Sequence, residues 1–342
     1  MVAAGQRQRA YEIDAVKGIA ILCITFLHFE EGIIPMWLNT WIALFMTTTF
    51  FFTSGWIAGL QEKRKTPKEL FKKRIKQLGA PYLWFSIIII VFDIIWTLLG
   101  YMDIQIFARD IYKAITLRGI GALWFLPVLF GAEMIFCYIR NCKHKLPVIA
   151  AAILLLYVVY ILYYVIWLPI RGESTLNKLI DAPIKPIVQS FTLWPIIAAG
   201  YLVSKYVFKN VENLNKIILF LCGVTIISFS ILQILSPLFV IPYINTFLSN
   251  ILPTIGFIII SKVVGYNNYF SRFLIFWGTN SLVLMCTHYS IMMEIFIAID
   301  NKYIHSDFCG YSTIIYFILT ILLTYPLVHL FNNKLKYMIG KE

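Results

Sequence analysis

The sequence predicts an all-α, polytopic membrane protein of about ten transmembrane helices, with both termini cytoplasmic. Three observations lead there. Of the 342 residues, 60% are hydrophobic and 13% charged, where a soluble chain carries about 25% charged residues. The apolar residues come in long unbroken blocks, and a helix that is apolar all round belongs in lipid or in a very large core. The basic residues cluster in a few connecting segments, which membrane proteins use to fix orientation.

A bilayer core takes about 20 apolar residues per helix. Ten blocks qualify: 12–30, 36–60, 79–101, 119–139, 147–170, 186–204, 217–236, 243–261, 273–298 and 311–332. Pro127, Pro195 and Pro253 fall inside the fourth, sixth and eighth, and proline within a helix predicts a kink. The blocks use all the long apolar stretches, so residues 1–342 read as one membrane domain. With the N-terminus inside, 22 of the 29 Lys and Arg residues fall on the cytoplasmic side and 7 outside. That asymmetry is the one the positive-inside rule requires, and one helix more or fewer would scramble it.

The formal charge of +12 is therefore a topology signal, and no nucleic-acid partner is expected. The six cysteines show no CxxC pair and no metal-ligand spacing, which argues against a disulfide framework and a metal site. The first block contains Asp14 and Lys17 and lacks a small-residue cleavage pattern. It reads as an uncleaved membrane helix serving as its own targeting signal. No internal repeat or matched pair of interrupted segments points to an inverted-repeat transporter.

Ionisable groups inside a membrane are functional candidates by default. Lys17 and His28 stand eleven positions apart. On an α-helix that is three turns plus about 20°, so both lie on one face, about 16 Å apart along the axis. Lys17 stands at the cytoplasmic foot and His28 in the outer half. The face reads as a cation and a base placed along one donor molecule. It reads equally as a snorkelling lysine and a satisfied histidine. Lys72, Lys73, Arg74 and Lys76 precede Gly79-Ala-Pro81-Tyr82. Such a cluster suits phosphate binding, and it also suits topology or contact with anionic lipid. Asn280 and Ser281 open the ninth block and suit interhelical hydrogen bonds. His288 lies further along the same block, as a second site histidine or a packing residue. Asp93, Glu133 and Glu294 are intramembrane acids, and Glu30 and Glu31 follow His28. Any of them suits the role of orienting the His28 ring.

Taken in order, several stretches resemble the acyltransferase-3 family of membrane-bound acyltransferases. Tyr11-Glu-Ile-Asp-Ala-Val-Lys17 through His28 is similar to its first helix, where a basic residue stands eleven positions before the essential histidine. Phe50-Phe-Phe-Thr-Ser-Gly55 resembles the second helix. Arg74-Ile-Lys-Gln-Leu-Gly-Ala-Pro81-Tyr82 resembles the basic entry to the third, and Ala122-Leu-Trp124-Phe125-Leu-Pro the fourth. Trp277-Gly-Thr-Asn280-Ser281-Leu, with His288, resembles a stretch near the family's end. One departure is Gln77, where the family often carries a second arginine. Asp14-Ala-Val-Lys17-Gly is closer to the glycan O-acetylase branch, such as the fucose 4-O-acetylase-like proteins.

The resemblance implies a multi-pass protein of the plasma membrane that uses acetyl-CoA or another acyl-CoA as donor substrate and binds no resident cofactor. The acceptor would be a hydroxyl of a cell-surface or lipid-linked glycan. His28 would be catalytic, as general base or transient acyl carrier. Lys17, Lys73, Arg74 and Lys76 would hold the donor, and Trp124, Asn280, Ser281 and His288 would line the site. The alternative is a secondary transporter or glycan flippase that uses His28, Asp93 and Glu294 as proton or substrate ligands.

Overall fold

The computed structural model describes residues 10–30, 32–172, 174–208, 214–236, 242–305 and 311–341. Arg7, Arg9, Lys209 and Glu31, which entered the reading of topology and of the His28 surroundings, lie outside these residues. No strand occurs among the described residues. Nine of their helical stretches are long and apolar enough to cross a membrane, beginning with α2 (Met36–Gly59).

The tenth expected crossing is α1 (Tyr11–Phe29). Glu12, Asp14 and Lys17 put three charged side chains near its foot. Its 19 residues span about 28 Å at 1.5 Å per residue, enough for a hydrocarbon core. α1 packs against α2, α11 (Pro242–Val264) and, most extensively, α12 (Tyr269–Thr279). Ile13, Val16, Ala20 and Ile21 are buried in those contacts. A helix enclosed by protein can hold a charged foot because its ions pair, as Lys17 Nζ does with Asp14 Oδ1 at 3.8 Å.

The family-like glycines are packing devices. A Cβ on Gly278 would run into the Asp14 carbonyl of α1, and one on Gly18 into the Leu274 carbonyl of α12. Gly55 of α2 meets the Ile197 carbonyl of α9 (Thr175–Leu202) in the same way, and Gly200 of α9 meets Phe52. Within a membrane, helices associate through such close backbone approach.

The basic segment after α2 forms α3 (Pro67–Arg74), opened by a capping box in which Thr66 and Glu69 bond each other's backbone N–H. A wide π-helical turn, Ile75–Gly79, joins it to α4 (Ala80–Leu98). Pro81 lies in the first turn of α4, where its missing N–H costs nothing. This end of the bundle, which also carries Tyr11 and the C-terminal turn Lys336–Ile339, is called the basic end below.

Four boundaries differ from the sequence reading. Residues 104–115 form an unexpected helix, α5 (Ile104–Ile115), capped by the Asp103 carboxylate, which accepts from Gln105 N at 2.8 Å. The fourth crossing opens with a 3-10 turn, Gly121–Trp124, and continues as α6 (Phe125–Asn141). Pro127 thus stands in the first turn of α6, just after the 3-10 turn. α7 (Lys145–Tyr160) runs through a π-turn into α8 (Leu168–Arg171). α9 begins at Thr175, eleven residues before the apolar block does.

α10 (Lys216–Leu235) and α11 pack through Gly223 and Gly256. The ninth block is broken rather than continuous. After α12 the chain turns at Asn280 and resumes as α13 (Ser281–Thr287), a π-turn from His288 to Met293, and α14 (Glu294–Ile299). The Asn280 side chain donates to the Phe276 carbonyl at 2.8 Å and accepts from Asn332 Nδ2 at 2.7 Å. Those bonds hold the Asn280 side chain at the break. α15 (Tyr311–Asn333) supplies Asn332.

Candidate active site

At the end of the bundle away from the basic end, α1 meets the second part of the broken ninth block, α13 and the π-turn after it. There the His28 and His288 rings lie with centroids 5.1 Å apart and planes at 41°. The Tyr289 ring stands 4.7 Å from His28 on another side. His288 is fully buried. Its Nδ1 is 2.8 Å from the Leu284 carbonyl. A carbonyl only accepts, so Nδ1 carries the proton and Nε2 keeps a lone pair. That Nε2 has no hydrogen-bond partner among the described residues. His288 also opens the π-turn, and single π-turns within α-helices recur at functional sites.

His28 lines a cavity of about 560 Å³, and His288 stands behind it. Asp93 of α4 lines the same cavity. Its side chain is 2% exposed, and Oδ2 has no partner among the described residues. An unpartnered buried oxygen of this kind costs free energy unless a ligand or water meets it. Glu294 of α14 lines the same cavity, and Trp124 adds an aromatic face. From α5 comes Asp110, held by Lys113 Nζ at 2.7 Å and Arg109 Nε at 3.4 Å. The chemistry available is a base, buried carboxylates that accept hydroxyl donors, and an aromatic surface open to stacking.

Among the acids that sequence left open, Asp93 and Glu294 share the cavity with His28. Glu133 does not. It pairs with Arg74 across the basic end and accepts from Ser54. Glu30 accepts from Ile33 N at 2.8 Å, Ile34 N at 3.0 Å and Asn39 Nδ2 at 2.7 Å. Its work is to hold the turn after α1.

The cationic candidates do not converge. Lys73 and Arg74 line a second cavity of about 210 Å³ with Lys65, Arg140, Gln77 and Glu133. Gln77, in the place of a family arginine, accepts from Arg74 Nη1 at 2.9 Å. Lys76 lines a third cavity of about 600 Å³ with Lys334, Lys336 and Lys341, where Trp84 meets Tyr337 edge to face at 5.6 Å. Lys17 lines none of these three cavities, and neither do Asn280 and Ser281. No group of three or more His, Cys, Asp or Glu residues suited to a metal ion occurs among the described residues.

Sequence reasoning missed Arg118, Lys185 and Asp110, all of which line the first cavity. Arg118 and Lys185 carried only a topology meaning there. The glycines at 119 and 121 were the available signal of a tight loop beside them.

The family model of the acyltransferase-3 family, described as an acyltransferase domain, matches residues 10–332. No curated protein and no solved structure matches the chain.

Proposed function

The chain belongs to the acyltransferase-3 family of membrane acyltransferases, and from that premise we propose that it moves an acetyl group from acetyl-CoA onto a hydroxyl of a cell-surface or lipid-linked glycan. One observation supports this reading above the others. His28 lines a polar cavity whose wall carries an unpartnered, buried Asp93 oxygen.

A sugar hydroxyl entering the cavity donates to Asp93, while the hydroxyl to be acylated faces His28. A sugar hydroxyl is a poor nucleophile at neutral pH, and a neutral imidazole is suited to take its proton. As the oxygen attacks the thioester carbonyl, the proton passes to His28. The C–S bond breaks as the C–O ester bond forms. The departing CoA thiolate takes the proton back from the imidazolium. The neutral His288 behind His28 adds no charge to oppose the imidazolium while it lasts. Trp124 offers its face to the sugar. Asn280 and Ser281 take no part in the step, since they stand outside the cavity.

In this reading the basic end faces the cytoplasm, and the donor phosphates sit there. Lys73 and Arg74, with Lys65 and Arg140 beside them, form the main donor grip. Lys17 and Lys76 flank it. The acceptor cavity lies at the opposite end, so one bundle brings a cytoplasmic donor to an outward acceptor in the plasma membrane.

The test is donor consumption by the purified protein in lipid nanodiscs, given acetyl-CoA and a glycan fraction from the membrane. Release of CoA thiol matched by acetyl on glycan is the expected result. Glycan flux across liposomes without a donor, and with no thiol release, would establish the transporter alternative instead.

A further inference from the structure

The cavity beside His28 carries two cations that form no ion pair with a carboxylate among the described residues. Arg118 comes from the loop after α5, and Lys185 from the first part of α9; both line the cavity. The acid closest to them in influence is Asp181. Its carboxylate is already occupied, accepting from Tyr163 Oη at 2.8 Å, Trp167 Nε1 at 3.0 Å and Arg171 Nη1 at 3.1 Å. Neither Arg118 nor Lys185 forms an ion pair with a carboxylate among the described residues. The neighbouring pair on α5 differs in kind, since Lys113 and Arg109 share Asp110.

The backbone holds Arg118 in place at a cost. Leu117, immediately before it, has φ 57°, a left-handed conformation that is unfavourable for an L-residue with a bulky side chain. Gly119 follows at φ 77°, and a Cβ there would strike the Trp124 backbone. Gly121 follows at φ 50°, and a Cβ there would strike Ser290 and Tyr289. Gly119 N donates to the Lys113 carbonyl at 3.0 Å. Tyr82 Oη donates to the Ala114 carbonyl at 2.8 Å, tying the end of α5 to α4. Strain of this kind persists where surroundings over-determine it, and it clusters at binding sites. Burial also weighs against the charge on Arg118, drawing its pKa below the ordinary guanidinium value. Two like charges held together and partly desolvated call for an anion between them.

We propose that the acceptor is an anionic saccharide, whose carboxylate or phosphate group seats between Arg118 and Lys185 while a neighbouring hydroxyl faces His28. This rests on reading the cavity as the acceptor site. Asp93 and Glu294, which line the same cavity, then take neutral hydroxyls, and the two cations set which sugar enters and in which orientation. A neutral hexose would leave both cations unanswered.

The full-length protein in nanodiscs, without acyl donor, is titrated with four probes: methyl glucoside, methyl glucuronoside, glucose 1-phosphate and inorganic phosphate. At least one anionic glycoside binds about tenfold or more tightly than methyl glucoside, a difference of about 1.4 kcal/mol. A preference for the glucuronoside identifies a carboxylate acceptor, and a preference for glucose 1-phosphate a phosphorylated one. Inorganic phosphate binds more weakly than the preferred glycoside and competes with it. The preference disappears in Arg118→Gln/Lys185→Gln and survives in Arg118→Lys. Salt supplies a check on the unaltered protein, since raising it weakens the anionic probe and leaves the neutral one alone.

The proposal is overturned by equal binding of neutral and anionic glycosides in the unaltered protein. Failure of both anionic glycosides to bind, or unchanged anion affinity in a folded double variant, overturns it as well. None of these readouts involves acyl transfer, so the anion site can fail while the acyltransferase reading stands, and the reverse.

Discussion

The His28 ring, on the first helix, rests against the His288 ring with centroids 5.1 Å apart, and only the first of the two lines the cavity. The Leu284 carbonyl fixes the tautomer of His288, while Phe29, next to His28, gives its carbonyl to Thr313 Oγ1 at 2.9 Å. The two imidazoles are therefore positioned from separate parts of the fold. His288 reads as the positioning residue and His28 as the group that meets substrate.

His288→Phe keeps a ring of similar size and removes both nitrogens. It should lower kcat roughly 10–10²-fold, less than the ~10²–10⁴-fold that a general base itself contributes, with little change in the acceptor KM. His288→Asn keeps a donor toward Leu284 and should recover part of the loss. Unaltered kcat in folded His288→Phe would remove His288 from the machinery.

Asp93→Asn replaces an acceptor-only carboxylate with an amide of the same shape. Hydrogen bonds to charged groups are worth about 1.5–3 kcal/mol, so the acceptor KM should rise about 10–10²-fold. The KM for acyl-CoA should stay as it was, because Asp93 lies in the cavity away from the basic end. A donor KM that moved with it would contradict this placement.

Glu133→Gln breaks the pair with Arg74, whose partner carboxylate is 4% exposed. The loss should be about 2–3 kcal/mol, read as a lower Tm in detergent. Because the two residues act on each other, Arg74→Gln/Glu133→Gln should cost less than the sum of the single changes. Strict additivity would mean that the pair does not hold the basic end together.

Gly278→Ala puts a methyl where the Asp14 carbonyl sits. Backbone must shift to admit it, at about 1–3 kcal/mol. A fall in Tm is expected, with activity lost in step because α1 carries His28. An unshifted Tm would show that α1 and α12 are not in close contact.

Much of this fold was legible in sequence because its governing signal is coarse. Twenty apolar residues in a row are easily read, and the lipid leaves the backbone little choice but a helix. The polar α1 was also legible, though it carries Glu12, Asp14 and Lys17 within its length, because the protein rather than lipid covers it. What escaped were features set by hydrogen bonding and by three-dimensional convergence. The break at Asn280 depends on Asn332 from α15. The first-turn position of Pro127 depends on a 3-10 start at Gly121. α5 was read as a connection because it is too short and too charged to cross.

The site divides along the same line. The 3.6-residue repeat placed Lys17 and His28 on one face of α1, and His288 was singled out as a histidine inside an apolar block. Their different fates follow from neighbours on other helices. His28 and His288 meet because α1 packs on the broken ninth block. Lys17 pairs with Asp14, three residues before it. Arg118 and Lys185 come together only in space, so spacing along the chain carried no sign of their pairing.

The central claim is that His28 performs acyl transfer. The most direct measurement is the CoA-thiol release rate with acetyl-CoA and acceptor glycan, comparing the unaltered protein with His28→Ala in nanodiscs at matched Tm. A general base contributes about 10²–10⁴-fold. The account predicts a fall of that size, with acyl-CoA binding unchanged. Thiol release and glycan acetylation at the unaltered rate in a folded His28→Ala protein would contradict it.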